Sequence, residues 1–383
     1  MRAPRLGLLV AALSVLACMG GAGPVGPVWP AEPVALVDLP GDEFPTGLAL
    51  FADGSFATTV RRIDRNPTVA FGGLRFRTRD GGQGPLGDTE PEQDVSADSL
   101  AVSPDGARIA VVRYDRIDFI PLDGGEVRSF SLVETLDTSW KRAFNDCTSA
   151  YEIVWSGATI ALRCGSGLPF LLLDGETGAR TLPLEGWEPG GAHIEVADLA
   201  IASDGQTLAV LGVSSEPAGP RHPWVELRSL PDGALIRRLT LEQPFGGVTF
   251  SPDGARIAVS SPYYGLQILD AKDGHVVAAD LYAADPGNRG SGDVLWSPDG
   301  GLIYRAGRRL GISVHDAKDA RVLGYFPVHP TEPENPMPPP ADWPATLTSR
   351  NATLELTPDG RFLASIERSD FGRAVRIWRL PAP

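Results

Sequence analysis

The chain has 383 residues and a formal net charge of −14 at pH 7, which favours solubility and excludes binding of nucleic acid through the overall field. Its 44 Gly and 35 Pro are about a fifth of all residues, which excludes a mainly helical fold and favours many short strands joined by turns. The length suits two or three small domains or one large all-β domain.

At the N-terminus, MRAPRLGLLVAALSVLACMGGAG sets Arg2 and Arg5 before an apolar run from Leu6 to Ala17. The run is too short to cross about 30 Å of hydrocarbon, so residues 1–17 read as an export signal. Val15, Leu16 and Ala17 resemble a bacterial lipobox, in which Cys18 is lipidated and becomes the new N-terminus. The alternative is cleavage after Ala22, which releases a soluble periplasmic or secreted protein. Residues 18–33 follow as a linker and residues 34–383 as one domain.

Within that domain the phrase SPDGARIAV occurs twice, at Ser103 to Val111 and at Ser251 to Val259. Its relatives begin at Phe51, Ala202, Ser297 and Thr357, and their aspartates are Asp53, Asp105, Asp204, Asp253, Asp299 and Asp359. Successive intervals are 52, 99, 49, 46 and 60 residues, so one member is missing near position 156, where YEIVWSGATIALRC reads as strand, turn and strand. Seven units of about fifty residues result, the mark of a repeat architecture.

Each phrase reads as a tight hairpin. Pro presets φ, Asp bonds its own backbone, and Gly takes the left-handed conformation that lets the next strand begin. In the fifth unit, strands are expected at GGVTF (Gly246 to Phe250), ARIAVSS (Ala255 to Ser261), GLQILDA (Gly265 to Ala271) and HVVAADLY (His275 to Tyr282). Four antiparallel strands in each of seven units predict an all-β, seven-bladed β-propeller, closed so that no long edge is left unpaired. The last unit ends at AVRIWRL (Ala374 to Leu380) without a fourth strand, and VALVDLP (Val34 to Pro40) precedes the first turn as an orphan. The N-terminal strand is therefore expected to complete the final blade.

The third unit holds Cys147 and Cys164. If Ser156 and Gly157 form its two-residue turn, Cys164 faces Ser149, two residues from Cys147 on the same side. A diagonal disulfide is then expected in an oxidising compartment.

SPDGARIAVVRYDRIDFIPLDGGEVRSF resembles a WD40-like repeat of the bacterial PD40 and TolB type, and VRIWRLP (Val375 to Pro381) resembles the end of a WD40 repeat. The resemblance covers residues 34 to 383 and implies the propeller fold, which hosts scaffolds, sugar and peptide binders and several enzymes. No Gly-His dipeptide opens a unit, and Arg379 follows Trp378 where Asp is usual.

In a propeller the first-to-second and third-to-fourth turns share one face, and here they are minimal. The opposite face takes the long connections: Gly81 to Asp94, Glu134 to Ala150, Gly186 to Ala192, Ser214 to Pro223 and Pro330 to Arg350. Such loops are the usual sites of recognition. Arg61, Arg62, Arg113, Arg116, Arg221, Arg308 and Arg309 are expected in second-to-third loops on that face, forming a positive collar around the channel mouth that suits a carboxylate, phosphate or acidic segment. Trp140 and Trp187 would add aromatic contacts. The competing expectation is that these arginines pair with acidic neighbours.

The turn aspartates have local structural roles, and once-per-blade spacing is too wide for calcium. Trp155 and Trp296 read as core. His275 and His315 read as surface residues near short turns. No P-loop, nucleophile elbow or paired-His motif is present, and no metal or cofactor is expected. The residues favour an exported, monomeric, non-catalytic module at the bacterial cell envelope. It binds a protein or acidic ligand and touches the membrane only through its lipid. The alternative is a propeller enzyme acting on a small anionic or sugar substrate at the channel mouth, for which a cluster of carboxylates or histidines in the channel would be the sign.

Overall fold

The structure is a computed structural model. It describes residues 33–39, 43–63, 70–84, 86–89, 92–93, 99–113, 116–132, 150–164, 170–179, 193–215, 221–243, 245–261, 265–281, 293–306, 312–326, 353–366 and 374–381. Within these residues 27 strands form seven antiparallel sheets.

Blade 1 is β2 (Glu43–Leu50), β3 (Phe56–Ile63), β4 (Ala70–Arg77) and β5 (Glu92–Gln93). Blade 2 is β6 (Ser99–Val102), β7 (Arg108–Arg113), β8 (Arg116–Pro121) and β9 (Arg128–Ser131). Blade 3 has three described strands, β10 (Ala150–Ser156), β11 (Thr159–Cys164) and β12 (Phe170–Asp174). Blade 4 is β13 (His193–Ile201), β14 (Thr207–Ser215), β15 (Arg221–Ser229) and β16 (Leu235–Thr240). Blade 5 is β17 (Gly247–Phe250), β18 (Arg256–Ser261), β19 (Gly265–Asp270) and β20 (Val276–Leu281). Blade 6 is β21 (Val294–Trp296), β22 (Leu302–Ala306), β23 (Ile312–Asp316) and β24 (Val322–Phe326). Blade 7 is β25 (Leu354–Leu356), β26 (Phe362–Ile366) and β27 (Ala374–Arg379), completed by β1 (Pro33–Asp38). The first strands touch in ring order from β2 to β25, and β25 returns to β2. The chain is a seven-bladed β-propeller.

The closure is as the sequence predicts: β1 pairs with β27, from Pro33 opposite Trp378 to Asp38 opposite Ala374. The repeated phrases are the first-to-second turns. In each, the glycine N–H donates to the carbonyl three residues back at 2.8–2.9 Å, as from Gly106 to Ser103 and from Gly254 to Ser251. Gly106 and Gly254 both have φ of +69°, so a side chain there is strained although space is free. The aspartate accepts the N–H two residues on (Ala107, Ala255, Gly301) and the hydroxyl of the first residue (Ser103, Ser251, Ser297). These bonds hold the carboxyls low, with the Ser103 hydroxyl the main cause at Asp105. At Asp359 the Arg361 N–H leads and the pKa falls to about 2.

Two details differ from expectation. The blade 3 hairpin turns at Gly157 and Ala158, with Ser156 opposite Thr159 and Trp155 opposite Ile160. Gly157 at φ +55° takes the first turn position, which moves the register, and an irregularity between Ala150 and Glu152 then sets Cys164 opposite Ala150 and not Ser149. Cys147 and the side chain of Cys164 lie outside the described residues. In blade 1 the residues after Gly81 are no connection between blades: they run back along β4, where Thr89 N–H donates to Leu74 O at 3.0 Å, and lead into β5.

Candidate functional site

The core lies between blades, and its polar content is periodic. At the middle of each third strand one residue sits opposite the same position of the second strand: Arg75, Asp118, Leu171, Glu226, Gln267, Ser313 and Arg376. Six of the seven are polar, and all of those but Arg376 are buried. Burial of a charge requires a partner. Arg75 pairs with Glu43, Asp118 with Arg113 at 2.6 Å and Arg116 at 3.1 Å, and Glu226 with Arg228 at 2.7 Å and also with Arg238. In blade 6, Ser313 Oγ lies 2.9 Å from His315 Nε2, and His315 Nδ1 donates to Ala320 O at 2.8 Å. That carbonyl requires the proton on Nδ1, so Nε2 accepts from Ser313. His315 is therefore not a surface residue: it is 2% exposed, and desolvation lowers its pKa. The sheet covers it because propeller blades are packed on both faces.

His275 is exposed as expected. Its Nδ1 is 2.6 Å from Asp273, whose hydrogen bond raises its pKa. Asp270, Asp273 and His275 offer ligand atoms within 4.8 Å of one another. Both aspartates are already accepting the N–H groups of Lys272 and His275, which shape the turn. Trp296 is core, its indole N–H donating to Gly300 O at 3.1 Å. Trp155 is partly buried and meets Phe119 edge-on at 5.3 Å.

The channel carries carboxyl groups that inspection of the sequence overlooked. Glu152 on β10, Asp198 on β13, Asp293 just before β21 and Glu355 on β25 belong to the innermost layer. The charge of Glu152 in blade 3 acts on Asp293 in blade 6. Burial raises Asp198 well above the carboxylate range, and Glu152 adds to this through its charge and a hydrogen bond. Burial lifts Asp293 to about 7 and, with the charge of Asp293, Glu355 to about 8. Two of these groups also latch blades: Asp198 accepts Val248 N–H at 2.7 Å and Asp293 accepts Leu354 N–H at 2.8 Å. Ser99 does the same for Ile153 N–H at 3.1 Å.

The Glu355 shift sets a pH dependence. Between its unfolded value of 4.5 and its folded value of about 8, the folded protein binds the proton more tightly. Stability contributed by the neutral acid is complete below that window and is lost as pH rises through it. E355Q is expected to leave the melting temperature unchanged at pH 4 and to raise it by a few degrees at pH 8, read by calorimetry. Superimposable pH profiles would show that burial of Glu355 has no such cost.

The predicted arginines are strand residues rather than loop residues. Arg61 and Arg62 are in β3, Arg113 ends β7, Arg116 begins β8, and Arg221 begins β15. Arg113 is 5% exposed and, with Arg116, holds Asp118. The side chains of Arg62 and Arg221 lie outside the described residues, as do Arg308, Arg309, Trp140, Trp187 and Cys18.

The ring matches a chain in the crystal structure of a mitotic checkpoint complex with a TM-score of 0.63, over 96% of this chain and 99% of that one. The fold is a WD40-like β-propeller. At 17% identity the match concerns architecture alone. The propeller sequence matches no protein-family model, and no curated protein is significantly similar to it.

Proposed function

We propose that the propeller is an exported, non-catalytic binding module that docks a protein or acidic ligand on the face of its long connections, and that a lipid on Cys18 holds it at the bacterial envelope. One observation carries the reading: the glycine turns spend their polar groups on closing hairpins, whereas the connections opposite hold more residues than closure needs. A fold neighbour that is part of a protein complex supports protein binding. Arg2, Arg5 and the apolar run before Cys18 support export and anchoring.

Crosslinking in the native envelope followed by affinity capture is expected to join the partner to residues 134–150, 186–192, 214–223 or 330–350. Crosslinks confined to the glycine turns would reject the assignment of the face. A fatty-acid label is expected on the wild type and not on C18A.

A second reading, a propeller enzyme at the channel mouth, draws on the hydrogen bond between Asp198 and Glu152 and the raised pKa of Asp198. A carboxylic acid donating to a carboxylate that Arg163 holds at 3.1 Å suits a neutral, hydroxyl-rich sugar better than an anion. Turnover of a sugar, lost in D198N with the fold intact, would favour it.

A further inference from the structure

We infer that the crevice between blades 1 and 2, on the face of the long connections, is a site for a single oxyanion held by Arg61 and Arg113. The pairing of β3 with β4 is regular, so Ala57, Thr59 and Arg61 share one face of β3. Ala57 belongs to one core cluster with Ile109 and Val111, which share a face of β7 with Arg113. Arg61 and Arg113 therefore project from opposed blades into one crevice, towards the second-to-third ends of their strands. Arg116 and Asp118 face it too, because Ile120 on the same side of β8 joins that cluster.

Among the described side chains the charges in the crevice do not balance. Asp118 is the carboxylate there among the described side chains, and it is occupied: Arg113 Nε at 2.6 Å, Arg116 Nε at 3.1 Å and Ser129 Oγ at 2.6 Å all donate to it. Arg113 Nη1 and Arg61 Nε are buried atoms with no acceptor among the described residues, and Arg113 as a whole is 5% exposed. Elsewhere the third-strand arginines Arg75 and Arg228 each face a buried carboxylate. Desolvated guanidinium donors without an acceptor are unfavourable, and the fork geometry of the group matches a carboxylate or phosphate. An oxyanion seated between the two blades would accept from both.

Charge also fixes the position. The carboxyl groups at the axis give an anion no cationic partner, and the buried guanidinium donors lie between blades 1 and 2, so capture is off-axis, in one crevice. The inference rests on the docking role for its natural ligand: the anion is an acidic side chain of the partner or a free phosphate.

Titration calorimetry of the full chain with inorganic phosphate and with hexaglutamate tests it. Binding of at least one probe is expected, weakened at least tenfold in R61Q, whose partly exposed side chain carries an unsatisfied donor, so the melting temperature is expected to be no lower than that of the wild type. R113Q/D118N, which removes the buried pair together, is expected to abolish binding, and R237Q on the outer rim is expected to leave it unaltered. Failure of both probes to bind the wild type, or equal affinity in R61Q, overturns the site. Arg61-dependent binding of phosphate without hexaglutamate supports the site as one for free phosphate and counts against acidic docking. Loss of partner crosslinks with Arg61-dependent binding intact rejects docking and leaves the site standing.

Discussion

E226A is expected to destabilise the propeller by about 3–5 kcal/mol, since removal of one partner leaves a buried charge uncompensated. Glu226 is fully buried, and Arg228 beside it is 2% exposed. The Arg228 guanidinium lies over the Phe170 ring of blade 3, 5.8 Å from its centroid, and donates to Gly233 O at 2.8 Å, so it has no route to water. Arg238 can turn outward, being half exposed. E226L/R228M, which replaces the pair by apolar groups of similar size, is expected to recover most of the loss. Equilibrium denaturation of the three proteins decides. An E226A midpoint equal to that of the wild type would show that Arg228 finds solvent or another acceptor.

Deletion of Val34–Leu39 is expected to cost about 3–6 kcal/mol from the burial of Val37 and Leu39 alone, at about 1.5–3 kcal/mol for each side chain. Both are 7% exposed, and Val37 packs with Phe362, Ala364 and Ile377. The deletion also strips the partner from β27 and leaves an open edge in the one blade whose strands come from both ends of the chain. Removing six residues from 334–339 in the Pro-rich connection is the control, expected to change stability by about 0.5 kcal/mol or less. Equal melting of the two deletions would mean that the ring holds without its closing strand.

Much of this was legible in the residues. Ser-Pro-Asp-Gly must turn, because Gly106 and Gly254 need positive φ and the aspartate needs a backbone donor two residues on. Six such turns and one doubled interval between them imply seven blades, and an orphan strand before the first unit with a fourth strand wanting in the last implies the closure. The blade 3 register slipped because Ser156-Gly157 and Gly157-Ala158 are both acceptable two-residue turns, and only the pairing of Trp155 with Ile160 chooses between them. His315 was misplaced for a related reason: proximity to a turn reads as exposure in a lone hairpin, but the neighbouring blade covers it.

The third-strand polar positions left a signal, one polar residue between apolar ones in LRF, IDF, VEL, LQI, ISV and VRI. In an isolated sheet that alternation means one wet face. In a propeller both faces are packed, so the same alternation means a polar group, most often buried, that needs a partner, and for the charged ones Arg75, Asp118 and Glu226 the partner comes from elsewhere in the blade. The carboxyls of the channel were invisible for the same reason: Glu152, Asp198, Asp293 and Glu355 are up to about two hundred residues apart in the chain and meet only where the first strands converge on the axis, and low dielectric makes their proximity matter. The residues alone determined the hairpins, their number and the closing of the ring, because turn chemistry and strand alternation are local. The tertiary structure decided which polar groups are paired, which carboxyls come together and which arginine donors are left over, because those depend on which strands the blade sets side by side and on what the next blade presents.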